Sequence, residues 1–331
     1  MTGNEELRLT EPAEKAVCRV CGCPIGARTF EAREMMQGLR ETFTYEICDG
    51  CGSFQLKEVP RDLGKYYGEG YYSFNNIVKP RYSWLEKWLK RSRARHALGN
   101  RNLVGAVMSR VKGHWPYFDW FKAAEVHFGT NILDVGCGKG DNLLRFASDG
   151  FTSLTGVDPF VDADVTLAEK ILIYKRTIDE MEGSFDCIFA HHSFEHMPNP
   201  QESLRQMARL LNAGGAALIA IPVAGCWAWE TYGPNWYQID APRHLVLPSA
   251  SGMRVLAERA GLTIQEIMYY SSDLQMIQST FYAENVAFAE ITPELMRERF
   301  PDVERKRLQQ RAEQLNAEQR GDQACFILRK R

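Results

Sequence analysis

The 331-residue chain reads as an α/β protein, a doubly wound and mostly parallel sheet with a small four-cysteine module ahead of it. Three observations predict this. Apolar runs of strand length alternate with helical patterns through residues 129–331, the pattern of a parallel sheet covered on both faces. A glycine-rich turn, GCGKG at 136–140, follows directly on one of those runs. Two Cys-x2-Cys pairs stand near the N-terminus, at 18/21 and 48/51. Composition agrees: 45% hydrophobic and 25% charged residues are those of an ordinary globular chain, not of a disordered or collagen-like one. Forty Lys and Arg against 42 Asp and Glu leave a net charge of -2, so no global field marks a nucleic-acid binder. No apolar run approaches the roughly 20 residues of a membrane span. The opening MTGNEELRLTEPAEK has no apolar signal region, which points to the cytoplasm.

The elements follow in chain order. Residues 1–75 are rich in Cys, Gly and Tyr, with strand-like runs such as Thr42–Ile47, and read as a zinc-ribbon-like module. Cys18, Cys21, Cys48 and Cys51 can each sit on a tight turn, with Gly22 and Gly52 supplying permissive backbone after each pair. In a reducing compartment such a cluster binds metal more often than it forms disulfides. Four thiolates suit tetrahedral Zn²⁺ at about 2.3 Å per bond and leave no open position, so a structural role is expected. Cys23 is a spare thiol and is not counted as a ligand. Tyr66, Tyr67, Tyr71 and Tyr72 flank Gly68–Gly70, either as a lid or as packing.

Residues 76–128 read as a basic helical connector. Positions 79–112 hold ten Lys and Arg against one acid, Glu86, and Trp84, Leu85, Trp88 and Leu89 form an apolar stripe that predicts a helix over Ser83–Ala97. Such a helix suits an anionic membrane surface or a diphosphate-bearing substrate. The plainer reading is a connecting helix with one solvated face.

Residues 129–331 carry the sheet. Asn131–Val135 is a buried-type strand, and Asp141–Ser148 a helix after the glycine turn. Strands follow at Leu154–Val157, Ile171–Tyr174, Phe185–Ala190 and Ala217–Ile221. A helix over Glu202–Leu211 is stopped by Asn212 and Gly214-Gly215, and another over Ser251–Ala260 by Gly261. Thr263–Tyr270 and Ala324–Arg329 are two late strands.

Several residues point to chemistry. Gly136, Gly138 and Gly140 let backbone approach a ligand, and the helix beyond offers unpaired N–H groups. The dinucleotide fingerprint wants a further glycine where Asp141 stands, and Asp134 inside the strand suits an ammonium group better than a pyrophosphate. Asp158, at the tip of the next strand, can take both hydroxyls of a ribose. The fourth strand runs into HHSFEHMPNP, at the strand ends where ligands lie. There His191, His192, Glu195 and His196 crowd together, and an imidazole can take a proton near neutral pH. The alternative is that Glu195 and His196 brace the loop. The stretch 226–245 concentrates Trp227, Trp229, Tyr232, Trp236 and Tyr237 with Asp240, Arg243 and His244. It reads either as an acceptor pocket whose rings stack on a sugar or base, or as a lid packed on the sheet edge.

ILDVGCGKGDNL, GVDPF, FDCIFAHHSFEHMPNP, LLNAGGAALIAIP and PRHLVLPSASGMRVLAERAGL together resemble the class I S-adenosylmethionine-dependent methyltransferases over 129–331. Within that group the chain is similar to small-molecule enzymes of the kind seen beside sugar and polysaccharide biosynthesis, some of which carry a preceding four-cysteine module. The resemblance implies a Rossmann-like, seven-stranded sheet whose last strand is antiparallel, a place Ala324–Arg329 would fill. It implies S-adenosylmethionine as cofactor, contacted by Asp134, Gly136, Cys137, Gly138, Gly140, Asp158, Pro159, Thr177, Ile178 and His191. Asp134 and the glycine turn would hold its amino acid end, Asp158 its ribose, and Thr177 and Ile178 the adenine wall. One departure is that only Phe160–Lys170 separates the second and third strands, where a full helix is usual.

The expected activity is methyl transfer to a hydroxyl or carbon of a small, sugar-like acceptor, with His196, His244 or His192 as base. The sulfonium already makes the methyl group reactive, so the transfer asks for no catalytic metal. Two alternatives stand beside it: a non-catalytic protein that docks a partner through the zinc ribbon and basic helix, or a methyltransferase acting on RNA or protein. No nucleic-acid partner is expected, because Met197-Pro198-Asn199-Pro200 stands where a planar-nitrogen motif would be. The expected location is the cytoplasm, with peripheral contact to the inner face of the membrane through 79–112.

Overall fold

Strands β1 (Thr29–Arg33), β2 (Thr42–Ile47) and β3 (Phe54–Leu56) form an antiparallel sheet in the N-terminal module. The computed structural model describes residues 16–68, 83–113, 115–167 and 170–330; Gly70, Tyr71, Tyr72 and the start of the basic stretch lie outside them. A fourth strand comes from far along the chain, where Val246 and Leu247 pair with Gln55 and Phe54. The buried Tyr45 hydroxyl donates to the His244 carbonyl at 2.9 Å, and Leu56 N–H donates to the Leu245 carbonyl at 2.9 Å. The small sheet is therefore sewn into the large domain by its own backbone ladder.

Helix α1 (Trp84–Ala97) starts at a capping box of Ser83 and Glu86, which satisfies orphan N–H groups at its start. Helix α2 (Leu103–Lys112) follows with Asn102 as cap. The apolar stripe on α1 faces outward: Trp84 is 79% exposed, and Leu85, Trp88 and, on α2, Leu103, Val107 and Val111 are exposed too. Helix α3 (Tyr117–Ala123) does the opposite, burying Tyr117, Phe118, Trp120 and Phe121 against Phe146, Phe151 and Phe189.

The large sheet contains β4 (Asn131–Val135), β5 (Ser153–Val157), β6 (Val165–Thr166), β7 (Leu172–Tyr174), β8 (Phe185–His191), β9 (Leu211–Pro222), β11 (Leu262–Tyr269) and β12 (Gln323–Lys330), with Val246–Leu247 as β10 of the small sheet. Its order is β11-β12-β9-β8-β4-β5-β7-β6. Pairs β4/β5, β4/β8, β5/β7 and β8/β9 are parallel, while β12 runs antiparallel to both β9 and β11. The resemblance implies seven strands, and the sheet has eight among the described residues. The extra one, β6, lies antiparallel on β7 in the stretch where a helix is usual. It returns along the sheet edge, pairing Val165 with Ile173 and Thr166 with Leu172. A second correction concerns β9, which begins at Leu211, not Ala217, so the residues read as a helix stop belong to the strand.

The helices of this domain are α4 (Asp141–Asp149), α5 (Pro200–Leu210), α6 (Trp227–Tyr232), α7 (Ala250–Arg259), α8 (Leu274–Ala283), α9 (Pro293–Arg299) and α10 (Asp302–Ala317). Strand alternation divides the core between the two sheet faces. Leu133, Val135, Ile188 and Ala190 face a core shared with α5, α7 and the N-terminal module. Ile132, Cys187 and Phe189 face the other, shared with α3 and α4. This leaves the C-terminal ends of β4, β5 and β8 at one rim, between the two modules.

Candidate active site

At that rim β4 carries a charged residue into the interior. Asp134 is 1% exposed, and its Oδ2 has no hydrogen-bond partner. Burial, and behind it the neighbouring Asp158, push its carboxyl up to about 8. Next comes the glycine turn. Gly136 N–H donates to the Val157 carbonyl at 2.8 Å, tying the turn to β5. Gly136 has φ 72°, and a Cβ there would stand 2.3 Å from Ser193 Cβ, so only glycine fits. Ser193 Oγ–H donates to the Val135 carbonyl at 2.6 Å, which fixes the loop after β8 against the turn.

Asp158 is clamped across the gap. Its Oδ2 accepts from Gly138 N–H and its Oδ1 from Phe160 N–H, each at 2.8 Å. Asp158 N–H donates to the Tyr174 carbonyl at 3.0 Å, which joins the β5 tip to the end of β7. Thr177 and the buried Ile178 follow on that same side, with Thr177 capping a short turn through Glu180. Gly140, at φ 91°, opens α4. Cys137 Sγ packs so close to Gly156 that a Cβ there would meet it at 2.5 Å, and burial pushes the thiol up. Pro159 is exposed. His191 ends β8 with its ring parallel to Phe189 at 5.8 Å, and burial pushes it down to about 3, so it is neutral. The rim therefore combines a buried carboxyl with an unpartnered oxygen, a second carboxylate held in place by backbone, and a helix N-terminus. An ammonium group fits it: it would supply the partner Asp134 lacks and lower that carboxyl again.

The loop after β8 builds a second cluster. Glu195 is 0% exposed; its Oε1 accepts from His192 Nδ1–H at 3.2 Å, and its Oε2 has no partner. His192 Nε2 in turn accepts from the Tyr270 hydroxyl at 3.1 Å. His196 Nδ1–H donates to the Arg243 carbonyl at 2.8 Å, and Tyr67 Oη lies 3.3 Å from the same nitrogen. His244 Nδ1–H donates to the Gln238 carbonyl at 2.8 Å, with its ring 4.8 Å from that of His196. Burial pushes His244 down to about 4. Burial also opposes ionisation of Glu195, but the His192 hydrogen bond and then the nearby His244 outweigh it and hold the carboxyl at about 2. An ionised carboxylate thus sits beside the neutral imidazole of His244.

Arg243 braces this wall. It is 0% exposed, pairs with Asp240 through Nε at 2.8 Å and again through Nη2, and donates from Nη1 to the Tyr66 carbonyl at 2.6 Å. Its Nη1 also lies 3.4 Å from Glu34 Oε1. Glu34 accepts N–H bonds from Met36, Gln37 and Leu39 at 3.0, 2.8 and 2.9 Å. One guanidinium therefore joins the small module to the loop that carries His244.

The four cysteines come together as the spacing predicts. Cys18, Cys21, Cys48 and Cys51 are buried free thiols whose sulfurs lie within 4.8 Å of one another. Cys18 to Cys51 is 3.7 Å and Cys21 to Cys48 is 3.4 Å. A tetrahedron with bonds of about 2.3 Å has edges of roughly 3.8 Å, so the group is dimensioned for such an ion. Gly22 N–H donates to the Cys18 carbonyl at 2.8 Å and Gly52 N–H to the Cys48 carbonyl at 2.7 Å, closing the two knuckles. Cys23 stays exposed.

The structure thus gathers the expected Asp134, glycine turn and Asp158 in one place, and His192, His196 and His244 in another. Within the aromatic segment, Trp229 and Trp236 pack into the protein. Trp229 lies 4.6 Å from both Phe30 and Phe54, and the buried Trp236 donates its Nε1–H to Asp322 at 3.1 Å. Tyr270, Glu34 and the bracing role of Arg243 had no signal in their local sequence. Of the tyrosines flanking Gly68–Gly70, Tyr67 reaches His196.

Known proteins resemble parts of this chain. A ubiquinone biosynthesis O-methyltransferase of Dechloromonas aromatica (strain RCB) is 33% identical over 113 residues, 31% of this chain and 48% of that protein. A 27-O-demethylrifamycin SV methyltransferase of Amycolatopsis mediterranei (strain S699) is 33% identical over 99 residues, 26% of this chain and 36% of that protein. A tRNA U34 carboxymethyltransferase of Dichelobacter nodosus (strain VCS1703A) is 29% identical over 147 residues, 41% of this chain and 47% of that protein. The chain therefore spans about half or less of the length of these relatives. Among solved structures, the [4+2]-cyclase SpnF is 18% identical at a TM-score of 0.41, with 74% of this chain and 94% of that one covered. The family described as a methyltransferase domain matches residues 87–267, more than half of the chain and all of β4 through β10, and the chain belongs to that family.

Proposed function

We propose that the chain transfers a methyl group from S-adenosylmethionine to a hydroxyl of a small, sugar-like acceptor. The observation that carries this is the buried, unpartnered Asp134 oxygen beside a glycine turn and the clamped Asp158. When bound, the cofactor supplies a methyl group on a sulfonium. Asp134 and the 136–140 backbone would hold its ammonium and carboxylate, Asp158 its ribose, and Thr177 and Ile178 its adenine, with Cys137, Pro159 and His191 lining the site. His196 keeps its Nδ1 proton on the Arg243 carbonyl, so its Nε2 lone pair is free to accept the acceptor's hydroxyl proton. His244 is a second such base, and His192, whose two nitrogens are both engaged, orients Glu195. Two of the relatives named above are O-methylating enzymes by name, which supports a hydroxyl over carbon or an RNA base. The four-cysteine cluster would hold structural Zn²⁺.

Calorimetry with S-adenosylhomocysteine, followed by transfer of labelled methyl to nucleotide-sugar acceptors, tests the reading. His196→Ala should lower turnover at least tenfold with cofactor affinity nearly unchanged; no heat with the native chain would end the proposal.

A second reading concerns place. No helix among the described residues is long and apolar enough to cross a membrane. The outward Trp84, Trp88, Leu103, Val107 and Val111, set among the Lys and Arg of α1 and α2, favour contact with an anionic lipid surface from the cytoplasmic side. Sedimentation with phosphatidylserine vesicles should bring the native chain down and leave a Trp84→Ser/Trp88→Ser variant in solution; equal behaviour of the two would remove this reading.

A further inference from the structure

Glu195, His196 and His244 bring metal-ligating side chains together behind the β8 loop. Each offers one ligand atom, and these atoms lie within 4.8 Å of one another. His196 and His244 both commit the Nδ1 proton to a backbone carbonyl at 2.8 Å, which leaves Nε2 of each as an acceptor. His244 Nε2 is 3.8 Å from Glu195 Oε1 and 3.7 Å from Asp240 Oδ2, too far for a hydrogen bond. Glu195 Oε2 is buried and unpartnered. A buried group of acceptors facing one another is costly unless something positive stands among them.

We propose that Glu195, His196 and His244 bind a divalent transition-metal ion, of the zinc and cobalt class, at a second site distinct from the four-cysteine cluster. Two imidazoles and one carboxylate are the donors such ions take at about 2.0–2.2 Å. Those bonds put ligand atoms roughly 3.0–3.5 Å apart, so the widest pair has to close by up to roughly 1.3–1.8 Å on binding. The supporting shell already exists: a backbone carbonyl fixes the tautomer of each histidine, and His192 N–H holds Glu195 Oε1. Asp240 is not a ligand, because both its oxygens are taken by Arg243. Three protein ligands leave a coordination position open. An oxygen of the acceptor would fill it; that use rests on the proposed function, whereas the binding of the ion does not. The ion competes with protons for the same lone pairs, so the site works as a base when empty and as an oxygen-binding site when loaded.

The test uses the full chain, with its four-cysteine site filled, titrated with Co²⁺ alone. Thiolate-to-cobalt charge transfer in the near ultraviolet marks the cysteine site; visible bands without it mark a nitrogen and oxygen site. Elemental analysis should give one tightly held ion and one exchangeable ion per chain. Glu195→Gln and His196→Gln should each weaken the second ion at least tenfold while the cysteine-site ion and the S-adenosylhomocysteine heat stay as in the native chain. Those two controls also report folding, and His196, only partly buried, gives a variant that spares the interior. No uptake beyond the cysteine site, or uptake unchanged in both variants, overturns the proposal. Uptake that is lost in the variants, in a chain that gives no S-adenosylhomocysteine heat, would keep the metal site and sink the proposed function alone.

Discussion

Asp134 makes cofactor affinity depend on pH in a calculable way. In the free protein its carboxyl stands at about 8, raised by burial and by Asp158. The ligand's α-amino group sits beside a free α-carboxylate, which holds its proton to about pH 9, above the roughly 7.7–8.0 of a peptide α-amino group. Binding needs the carboxylate and the ammonium together, so a proton must leave Asp134 first. At pH 6 about 1% of the protein and nearly all of the ligand are in the right form; at pH 7 about 9% and 99%; at pH 8 about half and about 90%. S-adenosylhomocysteine affinity should therefore rise about ninefold from pH 6 to 7 and roughly 45-fold by pH 8, or about 2.3 kcal/mol, and fall only above about pH 8.5. Titration calorimetry in two buffers of different ionisation enthalpy should also show close to one proton released per ligand at pH 7. Asp134→Asn should bind more weakly at pH 8 and lose the slope. A flat affinity from pH 6 to 8 in the native chain, or the same slope in the variant, would refute the placement of the ammonium.

Other outcomes follow from the same contacts. The raised Asp134 carboxyl stabilises the ligand-free fold fully below its unfolded value near 4, and that contribution is lost as pH rises through about 8, so Asp134→Asn should gain thermal stability over the native chain progressively between pH 5 and 8. Gly136→Ala places a Cβ 2.3 Å from Ser193 Cβ at a positive φ; its melting temperature should fall and its S-adenosylhomocysteine heat vanish, and unchanged binding would show that the turn is looser than described. Arg243→Met leaves Asp240 and Glu34 buried without their cation, at a cost of about 3–5 kcal/mol in urea unfolding. Cys48→Ser should lose the tightly held ion and make the first module a protease target, measured by elemental analysis after dialysis and by limited trypsin digestion.

What could be read directly from the residue order were the features made by neighbours in the chain. The strand–turn–helix of 131–149, the acid at the tip of β5 and the two cysteine knuckles are each built from a few consecutive residues. Their hydrogen bonds and their need for glycine are therefore written locally. The antiparallel last strand was legible through family resemblance, and its apolar run fits a strand buried on both faces. Other features have no such local mark. Val246–Leu247 is only two residues long and pairs with a strand nearly two hundred positions earlier. Arg243 reaches Glu34 across a similar span, and Tyr270 meets His192 from another strand end. Helices α9 and α10 are polar on most sides, with only Ala312 and Leu315 buried, so no apolar period announces them. The stripe on α1 had the right period, but period alone cannot say whether a face meets core or solvent. Short-range propensity and spacing decide which residues can make a turn, a knuckle or a strand. Which charges share a cavity, and which lone pairs face one another there, is decided only when distant segments pack.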